Sequence, residues 1–296
     1  MKNYIEYKLL MFLLFVVKKI SITSLYKLME KISLLIYKYE KRRKKITLSN
    51  LKIAFPNKTQ KEIEELSIEA YISLSKTITE ILLLFTNRLN IFDYIEDIEV
   101  FRLDFDKIKK ENKNGIIIII TGHYSNWEML AQLMPQIGFP MIGIGREGNN
   151  KLIEKNYTTP FREMNGNKNI YKNQAMSKII KGLKNNEIIG LLIDQKQTDK
   201  NSILSKLFNK KAPTTNSIAL LKLKYNPKIV SIFIERNQKG KYRIKMESNI
   251  GYNISNKTSK KDSIQIITDK HNNIIESQVK LKPEQWFWMH NRWNLK

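Results

Sequence analysis

The 296-residue sequence contains no cysteine, which excludes disulfides, thiolate-bound metals and a thiol nucleophile. It also lacks a phosphate-binding loop, a glycine-rich dinucleotide fingerprint and any His cluster with metal-ligand spacing. We therefore expect neither a cofactor nor a metal ion. Acidic residues are few, because 28 Asp and Glu stand against 52 Lys and Arg, a net charge of +24. Nucleic acid, anionic lipid and an acidic carrier protein are natural partners for such charge, although a compositional bias toward Lys, Ile and Asn also produces it.

The N-terminal region has no apolar run long enough to predict a membrane-spanning helix outright. Residues 9–17 are uninterrupted apolar, but a span needs about 20 residues. Residues 21–39 continue as an amphipathic helix. Its apolar stripe carries Leu25, Leu28, Ile32 and Leu35. Residues 1–50 hold twelve Lys or Arg against three Glu, a net +9, and apolar faces with basic flanks are typical of helices in the bilayer interface.

Two other interpretations of this region stay open. One is a helical hairpin packed on the core with a solvated basic loop at residues 41–45. The other is a full span over residues 4–22, with its lysines reaching the headgroups. A signal peptide is disfavoured because no small-residue cleavage site follows the apolar run.

Strand and helix patterns alternate along the rest of the chain, with no internal repeat. Residues 59–62 form a capping box that opens a helix predicted to end near residue 85. Buried strands are predicted at 116–120, 188–193 and 229–234, the last followed by a hairpin into 242–246. Helices are predicted at 126–138, 174–185, 214–225 and 259–279. This alternation predicts an α/β sandwich.

Polar residues follow the two most apolar strands. His123 and Glu128 come after the first strand, and Asp194 with Gln195 after the second. Ligands bind beyond the carboxyl ends of strands in open α/β sheets, so the two groups should face one cleft. A carboxylate from Glu128 on one imidazole nitrogen of His123 would leave the other nitrogen as a general base for a substrate hydroxyl. Alternatively, residues 125–128 are only a capping box, and His123 is a satisfied loop residue.

A family resemblance raises the weight of the catalytic interpretation. Residues 122–128 (GHYSNWE) resemble the His-x₄-Asp/Glu motif of the lipid A biosynthesis acyltransferases, within the lysophospholipid-acyltransferase-like superfamily. Residues 283–293 (PEQWFWMHNRW) resemble the closing block of that family and are its most specific match. The remaining matches are Asn50-Leu51 with Phe55-Pro56, Arg146, Arg162 with Gly166, and Asp194-Gln195. The resemblance covers residues 45–295, with departures at Phe208-Asn209 and at Glu147 after Arg146.

The resemblance implies a fold and a reaction. The expected fold is α/β, a mixed and mostly parallel sheet sandwiched by helices as in glycerolipid acyltransferases. Residues 1–45 are expected to form a membrane-anchoring helical segment and residues 46–296 the acyltransferase domain. The expected reaction transfers an acyl group from a thioester, acyl carrier protein being the implied donor, to a hydroxyl of a lipid A precursor. It would take place at the cytoplasmic face of the inner membrane, beside anionic lipids and without nucleic acid.

Roles for single residues combine this resemblance with the chemistry of each side chain. His123 is the expected base, oriented by Glu128, and substrate or oxyanion contacts are assigned to Arg146, Arg162, Asp194 and Gln195. His271 and His290 have no partner spacing and are expected to be structural. Trp286, Trp288 and Trp293 either lock the C-terminus onto the core or lie at a lipid interface.

Different acceptors and a different class of protein remain as alternatives. The acceptor could be glycerol phosphate, a lysophospholipid or a phosphatidylinositol mannoside, although the Phe-Pro-Glu-Gly block typical of the glycerol phosphate enzymes is absent. A basic peripheral membrane or RNA-binding protein would explain the charge without catalysis. RNA binding would favour aromatic residues interleaved with basic ones on a sheet face, a pattern that the sequence does not show.

Overall fold

The computed structural model describes residues 1–171, 175–198 and 202–294. The strands are β1 Ile117–Thr121, β2 Met141–Gly145, β3 Lys168–Tyr171, β4 Ile188–Leu192, β5 Ser202–Leu207, β6 Lys210–Thr215, β7 Lys228–Arg236 and β8 Tyr242–Glu247. The helices are α1 Lys2–Lys19, α2 Ile22–Tyr39, α3 Lys41–Ala54, α4 Gln60–Phe85, α5 Ile98–Glu111, α6 Trp127–Gln136, α7 Lys151–Ile153, α8 Thr159–Arg162, α9 Ala175–Lys184, α10 Ser217–Tyr225 and α11 Lys260–Leu281. A π-helical turn at Glu154–Thr158 joins α7 to α8, and 3₁₀ turns lie at Ile91–Asp93, Met164–Gly166 and Pro283–Gln285.

A mixed sheet forms the centre of the fold. Its order is β3-β2-β4-β1-β7-β8, in which only the β7–β8 pairing is antiparallel. Strands β5 and β6 pair separately as an antiparallel hairpin. The predicted α/β architecture with a mostly parallel sheet between helices is therefore confirmed.

The isoleucine run explains why β1 is central. Successive side chains of a strand point to opposite faces, so an apolar run can fill a core on each side of the sheet. Ile118 and Ile120 belong to one hydrophobic core, whereas Ile117 and Ile119 belong to the core on the other face. All four are at most 3% exposed.

Most elements agree with their predicted positions. The capping box at Thr59 and Glu62 forms and opens α4, which ends at Phe85 as predicted. Strands β2, β3, β5 and β6 and helix α5 carried no prediction. The basic run at 41–45 lies inside helix α3, so the alternative with a solvated loop there is wrong.

The N-terminal helices pack on the core with one face and expose apolar side chains on another. Val17 and Leu25 are buried. Exposed positions spaced three or four residues apart form a stripe on each helix, Ile5, Leu9 and Phe12 on α1 and Leu28, Ile32, Leu35 and Tyr39 on α2. Within the part of the chain that the structure describes, no helix combines the length and the apolar character needed to cross a bilayer. The division into residues 1–45 and 46–296 stays a prediction.

Candidate active site

The loops after β1 and β4 lie side by side because the two strands are parallel neighbours, with Thr121 opposite Leu192. His123 Nδ1 lies 2.8 Å from Asp194 Oδ1. A carboxylate only accepts hydrogen bonds, so Nδ1 carries a proton, and in the neutral ring Nε2 is then left as an acceptor. The expected meeting of the two polar groups at one edge of the sheet is therefore observed.

Asp194 is buried against the imidazole of His123. Its side chain is 2% exposed, and its Oδ2 accepts hydrogen bonds from the His123 backbone N–H at 2.8 Å and from Trp286 Nε1 at 2.7 Å. Burial by itself raises the pKa of the Asp194 carboxyl, but the His123 ring and these hydrogen bonds outweigh it and bring that pKa below its usual value. Asp194 is thus held as the carboxylate that orients His123.

The expected hydrogen bond between His123 and Glu128 is replaced by a different pairing. Glu128 Oε1 lies 3.0 Å from Arg162 Nη2. The cause is the local path of the chain: Ser125 adopts a left-handed conformation (φ 53°), and Asn126 caps α6 through a bond to Met129 N–H. Glu128 is then the second residue of the helix, one position too early for a capping box, so the capping interpretation is also wrong.

The acceptor nitrogen of His123 faces polar neighbours. Gln195 Nε2 lies 3.2 Å from His123 Nε2. His290 Nε2 accepts a hydrogen bond from the Lys196 backbone N–H at 3.0 Å, and burial lowers the pKa of His290 to about 4. His290 therefore stands neutral beside the site.

A cavity of about 780 Å³ opens next to these residues. The predicted site residues that line it are His123, Glu128, Arg146, Arg162 and Gln195. Much of the remaining lining is apolar and includes Leu130, Met134, Ile144, Ile179, Ile218 and Leu221. The cavity combines a polar end that can hold reacting groups with apolar walls that can hold a hydrocarbon chain.

The two arginines differ in their surroundings. Arg146 is exposed. Arg162 is partly buried, and burial by itself lowers its pKa. The nearby carboxylates of Glu128 and Glu154 have the larger, opposite effect, so the pKa of Arg162 lies above the usual value. Glu154 carried no sequence prediction, yet it is 5% exposed and accepts hydrogen bonds from Tyr171 at 2.9 Å and Thr159 at 3.3 Å.

The C-terminal tryptophans pack into the core. Trp286, Trp288 and Trp293 are each at most 6% exposed, so the core-locking interpretation is confirmed. Trp286 also donates to Asp194, a contact that no local sequence pattern indicates. A His-x₄-acid spacing directs attention to the nearer carboxylate, whereas pairing of distant strands brings in Asp194 from 71 residues away.

The geometry of the His123–Asp194 pair is suited to proton transfer. A neutral imidazole backed by a carboxylate can take a proton at Nε2 and return it later. Within the described ranges, no group of three or more His, Asp or Glu residues lies together as metal ligands would.

Comparison with known proteins decides the family. The family model described as bacterial lipid A biosynthesis acyltransferase matches residues 1–295. The chain belongs to this family. The lipid A biosynthesis acyltransferase of Haemophilus influenzae is 24% identical over 261 residues, covering 86% of this chain and 78% of that protein. Two Escherichia coli K12 proteins are each 23% identical: the lipid A biosynthesis lauroyltransferase (86% of this chain, 80% of that one) and palmitoleoyltransferase (85% and 79%).

Family membership settles the class of protein. The chain is an acyltransferase, rather than the non-catalytic basic protein that its charge alone also allowed.

Proposed function

We propose that this acyltransferase moves an acyl chain from acyl carrier protein to a hydroxyl of a lipid A precursor at the cytoplasmic face of the inner membrane. The single observation that carries the chemistry is the contact of 2.8 Å between His123 Nδ1 and Asp194 Oδ1 at the mouth of the cavity. The names of the relatives support the acceptor class. The net charge of +24 supports an acidic donor protein and an anionic membrane.

The proposed reaction begins with proton removal. His123 Nε2 takes the proton of the acceptor hydroxyl as its oxygen forms a bond to the thioester carbonyl carbon. The tetrahedral intermediate then expels the thiolate, and the imidazolium returns the proton to the thiolate sulfur. The products are an ester on the acceptor and a free carrier thiol. Asp194 holds the ring in the required tautomer throughout.

The positive groups of the cavity fit the charges of this reaction. The Arg162 guanidinium is fixed by Glu128, so it is a pre-oriented donor for the developing oxyanion. Arg146 is exposed at the cavity rim and suits a phosphate of the acceptor, since a guanidinium presents a rigid donor fork. Gln195 Nε2 lies near His123 Nε2, where the substrate hydroxyl must arrive, and can hydrogen-bond that hydroxyl.

The N-terminal helices suit a bilayer surface. Exposed apolar stripes on α1 and α2 would enter the acyl region, while basic residues near the helix ends meet anionic headgroups. The first 45 residues are then the anchoring segment, lying in the interface, and residues 46–296 the acyltransferase domain. The acyl chain would run from the thioester along the apolar wall of the cavity.

Mass spectrometry of the host's glycolipids tests the proposal. Deletion of the gene should remove one acyl chain from the lipid A fraction, and the wild-type gene should restore it. His123→Ala should not restore it, since the proton acceptor is gone. His271→Gln serves as the matched control because it changes a buried histidine elsewhere in the fold, and it should restore the chain.

A lipid A profile that stays unchanged after deletion would contradict the proposed acceptor. Assays of the purified protein with acyl carrier protein or coenzyme A thioesters separate the donors. We expect the carrier protein to be preferred, and salt to weaken that preference because the attraction is electrostatic.

A further inference from the structure

A buried polar cluster centred on Glu80 contacts the loop that carries His123. Glu80 of α4 is 1% exposed, and its carboxylate accepts hydrogen bonds from four elements of the fold. The donors are Tyr26 at 3.2 Å, Asn126 at 2.7 Å, Arg236 at 2.9 Å and Tyr242. Neither Glu80 nor Arg236 lines the cavity, so we assign the ion pair no direct part in the chemistry.

Two contacts join this cluster to the loop that carries His123. Asn126 donates to Glu80, and at the same time it caps α6. Thr77, one helical turn before Glu80, donates to the carbonyl oxygen of Ser125 at 3.1 Å and lies 3.4 Å from Arg236 Nη2. The cluster therefore holds Ser125 and Asn126, which follow His123 by two and three positions.

The other side of the loop is tied to the same arginine. Ser125 N–H donates to the carbonyl of Gln285 at 2.7 Å. The Gln285 side chain is in turn bound twice to the main chain of Arg236, at 2.9 and 2.8 Å. Arg236 is thus connected to the C=O group of Ser125 through Thr77 and to its N–H group through Gln285.

Ser125 needs this support. Its φ of 53° is a left-handed conformation that non-glycine residues adopt only when surrounding contacts impose it. Here the contacts are the hydrogen bonds at its N–H and C=O groups. Without them the backbone would relax toward the common regions, and the His123 ring would move relative to Asp194.

We propose that Thr77 and Glu80 are positioning residues that set the geometry of the His123–Asp194 pair through Ser125 and Asn126. The inference rests on the proposed function of His123 as base. It predicts that damage to the cluster lowers kcat while the binding of donor and acceptor stays nearly unchanged, because the cluster does not touch the cavity.

A pair of threonines provides a matched test. Thr77→Val removes the hydroxyl that reaches Ser125 and leaves its buried carbonyl without that donor. Thr79→Val removes an equally buried hydroxyl on the same helix, which donates to the Ser75 carbonyl and has no other hydrogen-bond partner among the described residues. We expect kcat to fall about tenfold in Thr77→Val, with KM within about twofold, and to stay within about twofold in Thr79→Val. Thr77→Ser, which keeps the hydroxyl, should recover most of the rate.

A spectroscopic measurement tests the geometry without substrate. The Nδ1 proton of His123, hydrogen-bonded to Asp194, should give a low-field NMR signal in the full-length wild-type protein and in Thr79→Val. In Thr77→Val this signal should broaden or shift, while the urea midpoints of the two variants stay alike. Equal kcat values and unchanged signals in both variants would overturn the positioning role. Full activity in His123→Ala would overturn the base itself, whereas equal behaviour of the two threonine variants would overturn only the positioning role, so the two failures can be told apart.

Discussion

The loops at the carboxyl edge of the sheet and the helices at the N-terminus depart from ordinary burial in opposite ways. Around the loops, polar side chains are buried: Asn126 is 0% and Asp194 3% exposed. On the helices, large apolar side chains are exposed: Leu9 is 62%, Phe12 66% and Leu35 55%. Charged groups are rarely buried unless paired, and contiguous exposed apolar surfaces mark interaction sites. This difference supports the proposal that the loops serve the chemistry and the N-terminal helices contact lipid.

The largest effect should come from replacing the carboxylate that contacts His123. Asp194→Asn keeps the shape of the side chain but presents an amide to the imidazole, which can favour the wrong tautomer. We expect kcat to fall by a factor of roughly 10²–10⁴, the range of losses seen when proton-transfer groups and the carboxylates that orient them are altered. Glu128→Gln should instead release Arg162, with a smaller loss in kcat. Steady-state kinetics of both variants with acyl carrier protein thioester measure the contrast.

The two variants also decide whether Glu128, as the sequence spacing predicts, or Asp194, as the structure indicates, is the functional partner of His123. If Glu128→Gln lost more kcat than Asp194→Asn, Glu128 would be the functional partner of His123, as the His-x₄-acid spacing predicts. Circular dichroism and urea midpoints serve as the control that both variants remain folded.

The sequence was sufficient to predict the helices and strands with strong periodicity, but not to predict which side chains contact each other in the site. The isoleucine run, the capping box at Thr59 and the amphipathic helix after Ser21 all formed as predicted. Strand β2 (MIGIG) is short and contains two glycines, and strand β3 (KNIY) begins with Lys and Asn. Neither segment therefore shows a strand pattern in the sequence. The carboxylate partner of His123 depended on strand order and on one left-handed residue, Ser125, and neither is visible in local spacing.

A second prediction concerns pH and the buried histidines. Burial lowers the pKa of His271 to about 4, from 6.5 when it is exposed. Between these values the unfolded chain binds the proton and the folded chain does not, so the folded state loses stability as pH falls from 6.5 to 4. Over the whole window, this difference in proton binding lowers the free energy of unfolding by about 3 kcal/mol. His290 acts in the same direction, whereas the contribution of Asp194 is lost only at lower pH, because its pKa is depressed.

Urea midpoints measured from pH 7.5 to 4 test this sign. His271→Gln can still form a hydrogen bond with the Tyr252 hydroxyl but does not titrate, so its stability should fall less steeply over the window. An equal slope in wild type and variant would mean that His271 is protonated in the folded protein. Catalysis at neutral pH should be unaffected, since His271 lies outside the cavity lining.

The smallest of these effects should appear at the N-terminal helices. Phe12→Gln removes one side chain from the exposed stripe of α1. Burying such a side chain in an apolar phase contributes about 1.5–3 kcal/mol, so binding to vesicles that contain anionic lipid should weaken about tenfold or more. Leu281→Gln is the matched control, because Leu281 is as exposed (64% against 66%) but lies at the end of α11.

Salt then separates the two parts of membrane attachment. If the apolar stripe enters the bilayer, wild-type protein should stay on vesicles when the ionic strength rises, because apolar burial does not depend on screening. Lys18→Gln with Lys19→Gln should weaken binding at low salt and matter little at high salt. Complete release of the wild-type protein by salt, or equal weakening by Phe12→Gln and Leu281→Gln, would show that attraction of the basic surface holds the protein alone. The exposed stripe would then need another partner, and the contrast between the two regions would no longer be one between chemistry and lipid.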